Sequence, residues 1–158
     1  MSTTEVRAYL EGFNKADKIK KIRVPVTSVE ETADCLGIMP SRLVKHTAFL
    51  NKKGDGCIMI ISSGDAIVDK VRYKTKFRYI PDELNEEQTI AYTGYSIADL
   101  CPFAVIEEYT RIYLDKSLKR FDYVYVKAGD DYTIVKLTCE ELFECTKAVD
   151  WVEMGRTW

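Results

Sequence analysis

The sequence of 158 residues contains no apolar run near the roughly 20 residues that a membrane-spanning helix needs. Its first residues, MSTTEVRAYLEGF, also lack the apolar stretch of a signal peptide. Hydrophobic residues make up 46% of the chain and charged residues 30%, a balance typical of globular, soluble proteins. We therefore expect a cytoplasmic protein with no membrane partner.

The sequence is also poor in groups that bind metals. It has one histidine, His46, and five scattered cysteines, none of which forms a CxxC pair. A zinc site would need mostly thiolates, and the spacing offers no closed set of ligands. We expect no metal and no other cofactor, and we interpret the cysteines as small, reduced core residues. A nucleophilic pair of His46 and Cys101 is an alternative, although the sequence marks no third, orienting group.

Strong charge of one sign is absent as well. The formal net charge is −2, so the protein as a whole lacks the basic character of many nucleic-acid-binding proteins. Nucleic acid would have to bind to a local patch, and we expect no DNA partner. The length fits one domain with a substantial core, and no repeat, linker or low-complexity segment divides the chain. We predict a single domain over residues 1–158.

Helix and strand signals give the order of the elements. Helices are predicted to start at Thr3 or Thr4, Ser28, Pro40, Asp82, Asp115 and Thr138, with capping boxes at Ser28 and Thr138. Strands are predicted at 22–24, 47–50, 57–62, 111–114, 123–128 and 132–137. Two hairpins mixed with single helices, without regular βαβ alternation, indicate the α+β class.

The stretch LVKHTAFL, residues 43–50, places a lysine and the histidine inside a run of apolar and small side chains. Burying an unpaired ammonium group is costly, so a lysine in such a run is exposed, paired or functional. Lys45 and His46 are therefore candidate functional residues at the entry to a strand. The alternative is a surface lysine whose aliphatic stem covers the strand end.

Two loops carry polar groups where a fold alone does not require them. SSGDA, residues 62–66, follows an apolar strand, and Gly64 allows a tight turn whose donors can face a ligand. TGYSIADLCPF, residues 93–103, is too apolar for a purely solvated loop, so it should fold over the core or over a ligand. Neither stretch forms a catalytic triad, a phosphate-binding loop or a dinucleotide fingerprint.

Five stretches lie between about Val24 and Val152: TADCLGI with RLVKHTAFL, SSGDAIVD, TGY with CPFAV, YLDKSLKRFD, and VYVKAGDDYTIVKLTCEEL. In this order and spacing they resemble the YbaK/EbsC family of freestanding aminoacyl-tRNA deacylases, which is related to the editing domain of bacterial prolyl-tRNA synthetase. The resemblance implies a mixed, barrel-like β-sheet packed by several helices, around a pocket for the 3′ end of a charged tRNA. It also implies hydrolysis of the ester that links a wrong amino acid to the terminal adenosine.

The same resemblance implies roles for individual residues. Lys45 stands where the family has its pocket lysine, which makes it the predicted catalytic residue, orienting the substrate and stabilising developing negative charge. The implied substrate-binding residues are His46, Thr47, Ser63, Gly64, Asp65, Gly94, Ala98, Asp99, Cys101, Pro102 and Phe103. The implied substrate is mischarged aminoacyl-tRNA, in particular tRNA-Pro carrying cysteine, alanine or another small residue. Prolyl-tRNA synthetase is a candidate partner.

The densest basic run, KVRYKTKFR at residues 70–78, follows the SSGDA turn. In a helix, Lys70 with Lys74 and Arg72 with Lys76 form two adjacent rows, and in a strand the basic side chains share one face. We predict that Arg72, Lys74 and Lys76 bind the tRNA backbone. The alternative is a solvated face that its aromatic residues anchor to the core.

One loop departs from the family pattern. Family members usually have glycines four and three residues before the proline of the CPF loop, and often one just after PF. Here these positions are Ala98, Asp99 and Ala104. Glycines let backbone amides approach a ligand, and Asp99 adds a carboxylate near a polyanionic substrate. Two alternatives stay open: a non-catalytic paralogue that binds a nucleotide or an aminoacyl-tRNA end, and an adaptor that docks on a synthetase.

Overall fold

The computed structural model describes residues 2–156. The α-helices of this part of the chain are α1 (Thr3–Glu11), α2 (Val29–Leu36), α3 (Lys70–Phe77), α4 (Glu86–Thr93) and α5 (Cys139–Thr146). The strands are β1 (Ile19–Lys21), β2 (Lys45–Leu50), β3 (Cys57–Ser62), β4 (Ile67–Val68), β5 (Thr110–Asp115), β6 (Val124–Lys127), β7 (Thr133–Leu137), β8 (Asp150–Val152) and β9 (Gly155–Arg156). Short 3₁₀ helices span Ala16–Lys18, Pro40–Arg42 and Lys116–Arg120. Among these residues, no helix is both long enough and apolar enough to span a bilayer.

The largest sheet is mixed and has the strand order β2-β3-β5-β8. β2 and β3 form the predicted antiparallel hairpin, whereas β5 runs parallel to both β3 and β8. A second, antiparallel sheet has the order β1-β7-β6, and β4 pairs with β9. The predicted α+β class is therefore confirmed.

The predicted barrel-like arrangement needs a correction, because the strands of residues 2–156 form separate sheets and no closed barrel. The two larger sheets meet where Leu43 forms an isolated bridge with Tyr125. At the same place the Val44 N–H donates to the Tyr125 carbonyl at 3.1 Å. A single bridge fixes the sheets side by side but does not continue the hydrogen-bonded ladder that a barrel requires.

β3 lies at the centre of the core, since all six residues of Cys57–Ser62 are buried. Met59 and Ile61 belong to the larger core cluster. Ile60 belongs to a smaller cluster, in which it packs with Tyr73 of α3. Successive side chains of a strand point to opposite faces of a sheet, so each strand of this sheet faces two cores. The same alternation places neighbouring residues of β2 on opposite faces.

Local signals set several helix ends as predicted. The capping box of α5 is present, with Thr138 and Glu141 each bonding the backbone N–H of the other. Gly37 and Gly94 end α2 and α4 with φ of 68° and 88°, the left-handed conformation that glycine adopts most readily. α1 begins at Thr3, within the predicted range, and its N-cap is the preceding residue, Ser2.

Two predictions in the N-terminal part of the chain are wrong. The strand expected at 22–24 lies at Ile19–Lys21, where it pairs with β7. Pro25 has no N–H to donate, so it cannot extend that ladder. Ser28 precedes α2, but its side chain makes no capping hydrogen bond, since its ψ of 77° is far from the extended conformation of most caps.

The helix expected from Asp82 begins only at Glu86. The segment before it bonds to the free edge of β2: the Leu50 N–H donates to the Asp82 carbonyl at 2.8 Å, and the Leu84 N–H donates to the Ala48 carbonyl at 3.0 Å. These bonds hold the residues in an extended conformation. Tertiary pairing therefore overrides the helical pattern until Asn85 caps the helix.

Candidate functional site

Lys45 is the first residue of β2 and lies opposite Ser62 of β3. Its side chain is exposed, and its ammonium group donates to the Ala66 carbonyl at 3.2 Å. The lysine therefore bends across the strand pair toward the turn that follows β3. A lysine ammonium has three N–H donors, so this bond leaves donors that can face a ligand in solvent.

The turn after β3 is held by the short helix before β2. The Gly64 N–H donates to the Ser41 carbonyl at 2.9 Å. A Cβ atom at Gly64 would lie only 2.5 Å from the Leu43 carbonyl oxygen and 2.6 Å from the Pro40 carbonyl oxygen. Any larger residue would push these backbones apart. The glycine that the sequence marks therefore permits close packing, beside the strand that carries Lys45.

The polar residues of the turn bond to each other and to the 3₁₀ helix after β5. The Ser63 hydroxyl donates to the Asp65 carboxylate at 2.6 Å. The Ser63 N–H donates to the Ser117 hydroxyl at 3.1 Å. Arg120 donates to both carboxylate oxygens of Asp65, at 2.6 and 3.1 Å, and to the Ser63 hydroxyl at 2.9 Å. The hydrogen bond from Arg120 lowers the pKa of the Asp65 carboxyl, which is therefore ionised at neutral pH.

Arg120 is a residue of the site that we did not predict from the sequence. Its Nε–H also donates to the Ser117 carbonyl at 3.0 Å, so four of its five N–H groups are used within the protein. Its guanidinium lies 4.8 Å from the centre of the Phe121 ring. The signal that was available is the stretch YLDKSLKRFD, in which Asp115 caps a short basic helix.

His46 faces the other side of the sheet from Lys45, because the two are neighbours in β2. Its Nε2 atom is buried and has no hydrogen-bond partner among residues 2–156. Burial, together with the nearby charge of Lys127, lowers the pKa of His46 to about 3. The imidazole is therefore neutral at physiological pH. Thr47 lies on the same face of β2 as Lys45.

The loop after α4 folds over the core, as one of the two predicted alternatives required. Tyr95, Cys101, Pro102 and Phe103 are buried, and the Tyr95 hydroxyl donates to the Phe103 carbonyl. Burial raises the pKa of the Cys101 thiol, which donates to the same carbonyl at 3.8 Å. A neutral thiol that is bonded to the backbone is a poor nucleophile, which disfavours the alternative of a nucleophilic pair with His46.

Ala98 and Asp99, which stand where the family has two glycines, lie at the outer part of this loop. Ala98 is exposed and its carbonyl accepts a hydrogen bond from the Lys127 ammonium at 2.6 Å. Lys127 has a side chain only 10% exposed and pairs with Asp131 at 3.1 Å. Asp99 is half-buried, and its N–H donates to the Ser96 carbonyl at 3.2 Å. Lys127, a residue of β6, thus fixes the loop to that strand. The Lys127 charge also lies close enough to His46 to lower its pKa.

The predicted site residues therefore form two groups. The first surrounds Lys45 and the 63–66 turn, with Arg120 added, and its members are joined by the hydrogen bonds above. The second consists of His46 and the 94–103 loop, which Lys127 links. The Pro40–Arg42 helix and the start of β2 contact the 63–66 turn on one side and the β1-β7-β6 sheet on the other.

The basic run at 70–78 forms a helix, α3, with Arg78 as its C-terminal cap. Arg72 and Lys76 form one i,i+4 row and line a groove beside β8. Lys74 does not line this groove and forms the other row with Lys70. Among residues 2–156, no group of three or more histidine, cysteine, aspartate or glutamate side chains is placed to hold a metal ion.

The sequence matches one known protein family over most of its length. The aminoacyl-tRNA editing domain family matches residues 23–145. The uncharacterized protein YwhH of Bacillus subtilis (strain 168) is 29% identical over 158 residues, which cover 100% of this chain and 99% of that protein.

Solved structures share the fold at low sequence identity. A candidate trans-editing enzyme for prolyl tRNA synthetase has a TM-score of 0.84 and 20% identity, covering 98% of this chain and 96% of that chain. The hypothetical protein APE2540 has a TM-score of 0.76 and 22% identity, covering 87% of this chain and 90% of that chain. These likenesses show that the α+β fold described above is the fold of those proteins.

Proposed function

The chain belongs to the aminoacyl-tRNA editing domain family, and from this premise we propose that it is an aminoacyl-tRNA deacylase. The reaction is hydrolysis of the ester between a wrong amino acid and the terminal adenosine of tRNA. Water adds to the ester carbonyl, the bond to the ribose oxygen breaks, and the free amino acid and uncharged tRNA leave. The observation that carries the proposal is the exposed ammonium of Lys45, fixed to the Ala66 carbonyl.

An aminoacyl ester is already activated, so the protein mainly has to position the carbonyl and the attacking water. Lys45 supplies a point charge that orients the substrate and stabilises the negative charge developing on the carbonyl oxygen. The bond to Ala66 restricts where that charge can lie. His46 lies on the opposite face of β2, where its Nε2 is buried, so the role that we propose for Lys45 does not depend on it.

We further propose that the chain acts in trans on tRNA-Pro carrying cysteine, alanine or another small residue, with prolyl-tRNA synthetase as a partner in the cytoplasm. A fold shared with a candidate trans-editing enzyme for prolyl tRNA synthetase supports this choice. Binding alone separates amino acids that differ by one methylene by only about 10–200-fold. A pocket that selects by size should therefore separate such amino acids only within this range. On this proposal one domain, residues 1–158, carries the activity.

A second candidate function is binding of a nucleotide or an aminoacyl-tRNA end without hydrolysis, alone or as an adaptor on a synthetase. The observation in its favour is the loop in which Ala98 and Asp99 replace the family's glycines and Lys127 occupies the Ala98 carbonyl. A carbonyl that already accepts a protein donor is less available to a ligand.

A deacylation screen separates the two candidates. The purified protein is mixed with tRNAs charged with cysteine, alanine, serine or proline, and the remaining ester is measured over time under single-turnover conditions. Faster hydrolysis of one mischarged tRNA-Pro than of correctly charged tRNA-Pro supports the deacylase. Tight binding of the same tRNAs, with hydrolysis no faster than in buffer, supports the non-catalytic candidate instead.

A further inference from the structure

A groove of about 680 Å³ lies between α3 and β8, next to the site but outside it. Its charged lining consists of four cations, Arg72, Lys76, Arg78 and Lys116, and one carboxylate, Glu153. The remaining lining includes the apolar side chains Val71, Trp151, Val152 and Met154. A local excess of positive charge is unexpected in a chain whose net charge is −2.

Three of these four cations have no partner among residues 2–156. In the described part of the chain, no carboxylate and no hydrogen-bond acceptor contacts the side chains of Lys76, Arg78 or Lys116. Arg72 differs, because it donates to the Gly155 carbonyl at 3.1 Å. Cations that face one space repel each other. An anionic ligand in the groove would remove this repulsion.

The arrangement of the cations indicates an extended ligand with several anionic groups. Lys76 and Arg78 come from the last turn of α3 and its cap, whereas Lys116 comes from the 3₁₀ helix after β5. The ring of Trp151 is not a free platform for a base, since it stacks on Phe143 and has the Lys119 ammonium 4.4 Å from its centre. The groove therefore offers charge without a site for reading bases.

The groove is also connected to the Lys45 site. Lys116 begins the same 3₁₀ helix whose Ser117 and Arg120 hold the 63–66 turn. A 3₁₀ helix rises about 2 Å per residue, so the four residue steps from Lys116 to Arg120 span about 8 Å. An RNA whose 3′ end reaches Lys45 could therefore place nearby phosphates in the groove.

We propose that this groove binds consecutive phosphates of the acceptor stem, through Lys76, Arg78 and Lys116 and with Arg72 at its edge. The identity of the ligand as tRNA rests on the proposed function. The inference that the groove binds phosphates spaced along a chain does not rest on the proposed function. A-form RNA is recognised largely through its backbone and shape, so the groove should bind acceptor stems of different sequence equally.

The test measures binding rather than hydrolysis. An uncharged RNA hairpin with an unpaired 3′ end is titrated with the wild type and with the triple variant Lys76→Gln, Arg78→Gln, Lys116→Gln, at several salt concentrations. A control triple variant, Lys52→Gln, Lys53→Gln, Lys70→Gln, removes the same charge from exposed residues that do not line the groove. Thermal unfolding of each variant checks that it is folded.

We expect the groove variant to bind at least tenfold more weakly, with a salt slope smaller by about 0.7–0.9 for each phosphate that it no longer neutralises. The control should keep the wild-type slope. Equal weakening in both variants, or wild-type affinity in the groove variant, would overturn the proposal. Binding of inorganic triphosphate in the groove as tight as that of the hairpin would also overturn it, in favour of a free polyphosphate ligand. If the groove variant shows the smaller salt slope but the wild type hydrolyses no charged tRNA, the proposed function is wrong and the proposal that the groove binds phosphates is supported.

Discussion

Arg120 binds both carboxylate oxygens of Asp65, at 2.6 and 3.1 Å, across 55 residues of sequence. The pair spans the mouth of the turn whose Ala66 carbonyl holds the Lys45 ammonium. Four of the five Arg120 N–H groups are used within the protein, so this arginine is better suited to positioning the turn than to binding phosphate. Through the turn, it fixes where the Lys45 charge lies.

The first prediction is that Asp65→Asn lowers the single-turnover rate of deacylation by about tenfold while changing stability little. The Asp65 and Arg120 side chains are 36% and 44% exposed, and exposed ion pairs contribute only about 0–1 kcal/mol. We expect the substitution to lower the rate and to leave substrate affinity unchanged, because the altered turn displaces the Lys45 ammonium without removing it. Glu107→Gln is a matched control, since it removes another exposed ion pair, that with Lys147, neither residue of which belongs to the 63–66 turn or to the helices that hold it. An equal decrease of rate in the control would contradict the positioning role.

The second prediction concerns Lys45 itself. Lys45→Ala should remove most of the deacylase activity, by about 10²–10³-fold, because it deletes one electrostatic donor to the developing oxyanion. Its melting temperature should stay near that of the wild type, since the side chain is exposed and fills no core volume. Lys53→Ala, an exposed lysine in the β2–β3 turn, serves as the control. A Lys45→Ala variant with the wild-type rate would exclude the catalytic assignment.

Local sequence signals were sufficient for the strand that carries the site. The apolar runs of β2 and β3 and the turn NKKGDG between them predict the hairpin, and with it the place of Lys45 at the strand entry. The polar turn with Gly64 follows from the same hairpin. These features depend on residues close in sequence, which is why the pattern alone determines them.

Features that depend on distant residues could not be predicted in this way. The pairing of Asp65 with Arg120 exists only because β5 lies parallel to β3, which brings the helix after β5 to the end of β3. No local pattern specifies that parallel register. The separation of Lys45 and His46 onto two faces was available from strand alternation, but what lies on each face depends on the tertiary fold.

The third prediction uses the pKa of His46, which burial lowers to about 3. Above about pH 6.5 the ring is neutral in both the folded and the unfolded chain. As the pH falls below that value, the unfolded chain binds a proton there first, so the free energy of unfolding decreases by up to about 1.4 kcal/mol per pH unit until the folded-state pKa is reached. Urea unfolding between about pH 7 and pH 5 should show this slope in the wild type and a smaller slope in His46→Gln.

Because His46 is the one histidine of the sequence, its ring protons give a single set of NMR signals. These signals should not titrate near pH 6.5 in the folded protein, and the rate of deacylation should have no inflection there that depends on His46. A ring that titrates near its ordinary pKa in the folded state would show that the imidazole is solvated, and would refute its assignment as a neutral, buried group.

The fourth prediction concerns Ala104, which follows the loop with a φ of 56°. The left-handed conformation costs a residue with a Cβ about 1–2 kcal/mol. Replacement by glycine removes this cost, but the larger entropy of glycine in the unfolded state offsets part of the gain in stability. Ala104→Gly should therefore stabilise the protein by about 0.5–1 kcal/mol and raise its melting temperature by about 1–4 °C. Ala98→Gly is the control, because Ala98 has no positive φ and should gain no stability. No gain in Ala104→Gly would mean that the backbone at this position is not strained.

The last prediction tests whether the loop limits catalysis. Asp99 adds a carboxylate where the family has glycine, which would repel a polyanionic substrate that reached the loop, and Ala98 adds a methyl group. We expect the double variant Ala98→Gly, Asp99→Gly to raise kcat/KM on a mischarged tRNA, chiefly through KM, because a repulsive charge is removed. Asp99→Asn alone should reproduce most of the gain, since it keeps the shape of the side chain. If both variants lower kcat/KM, the loop is adapted to its present residues, and repulsion by Asp99 does not limit the reaction.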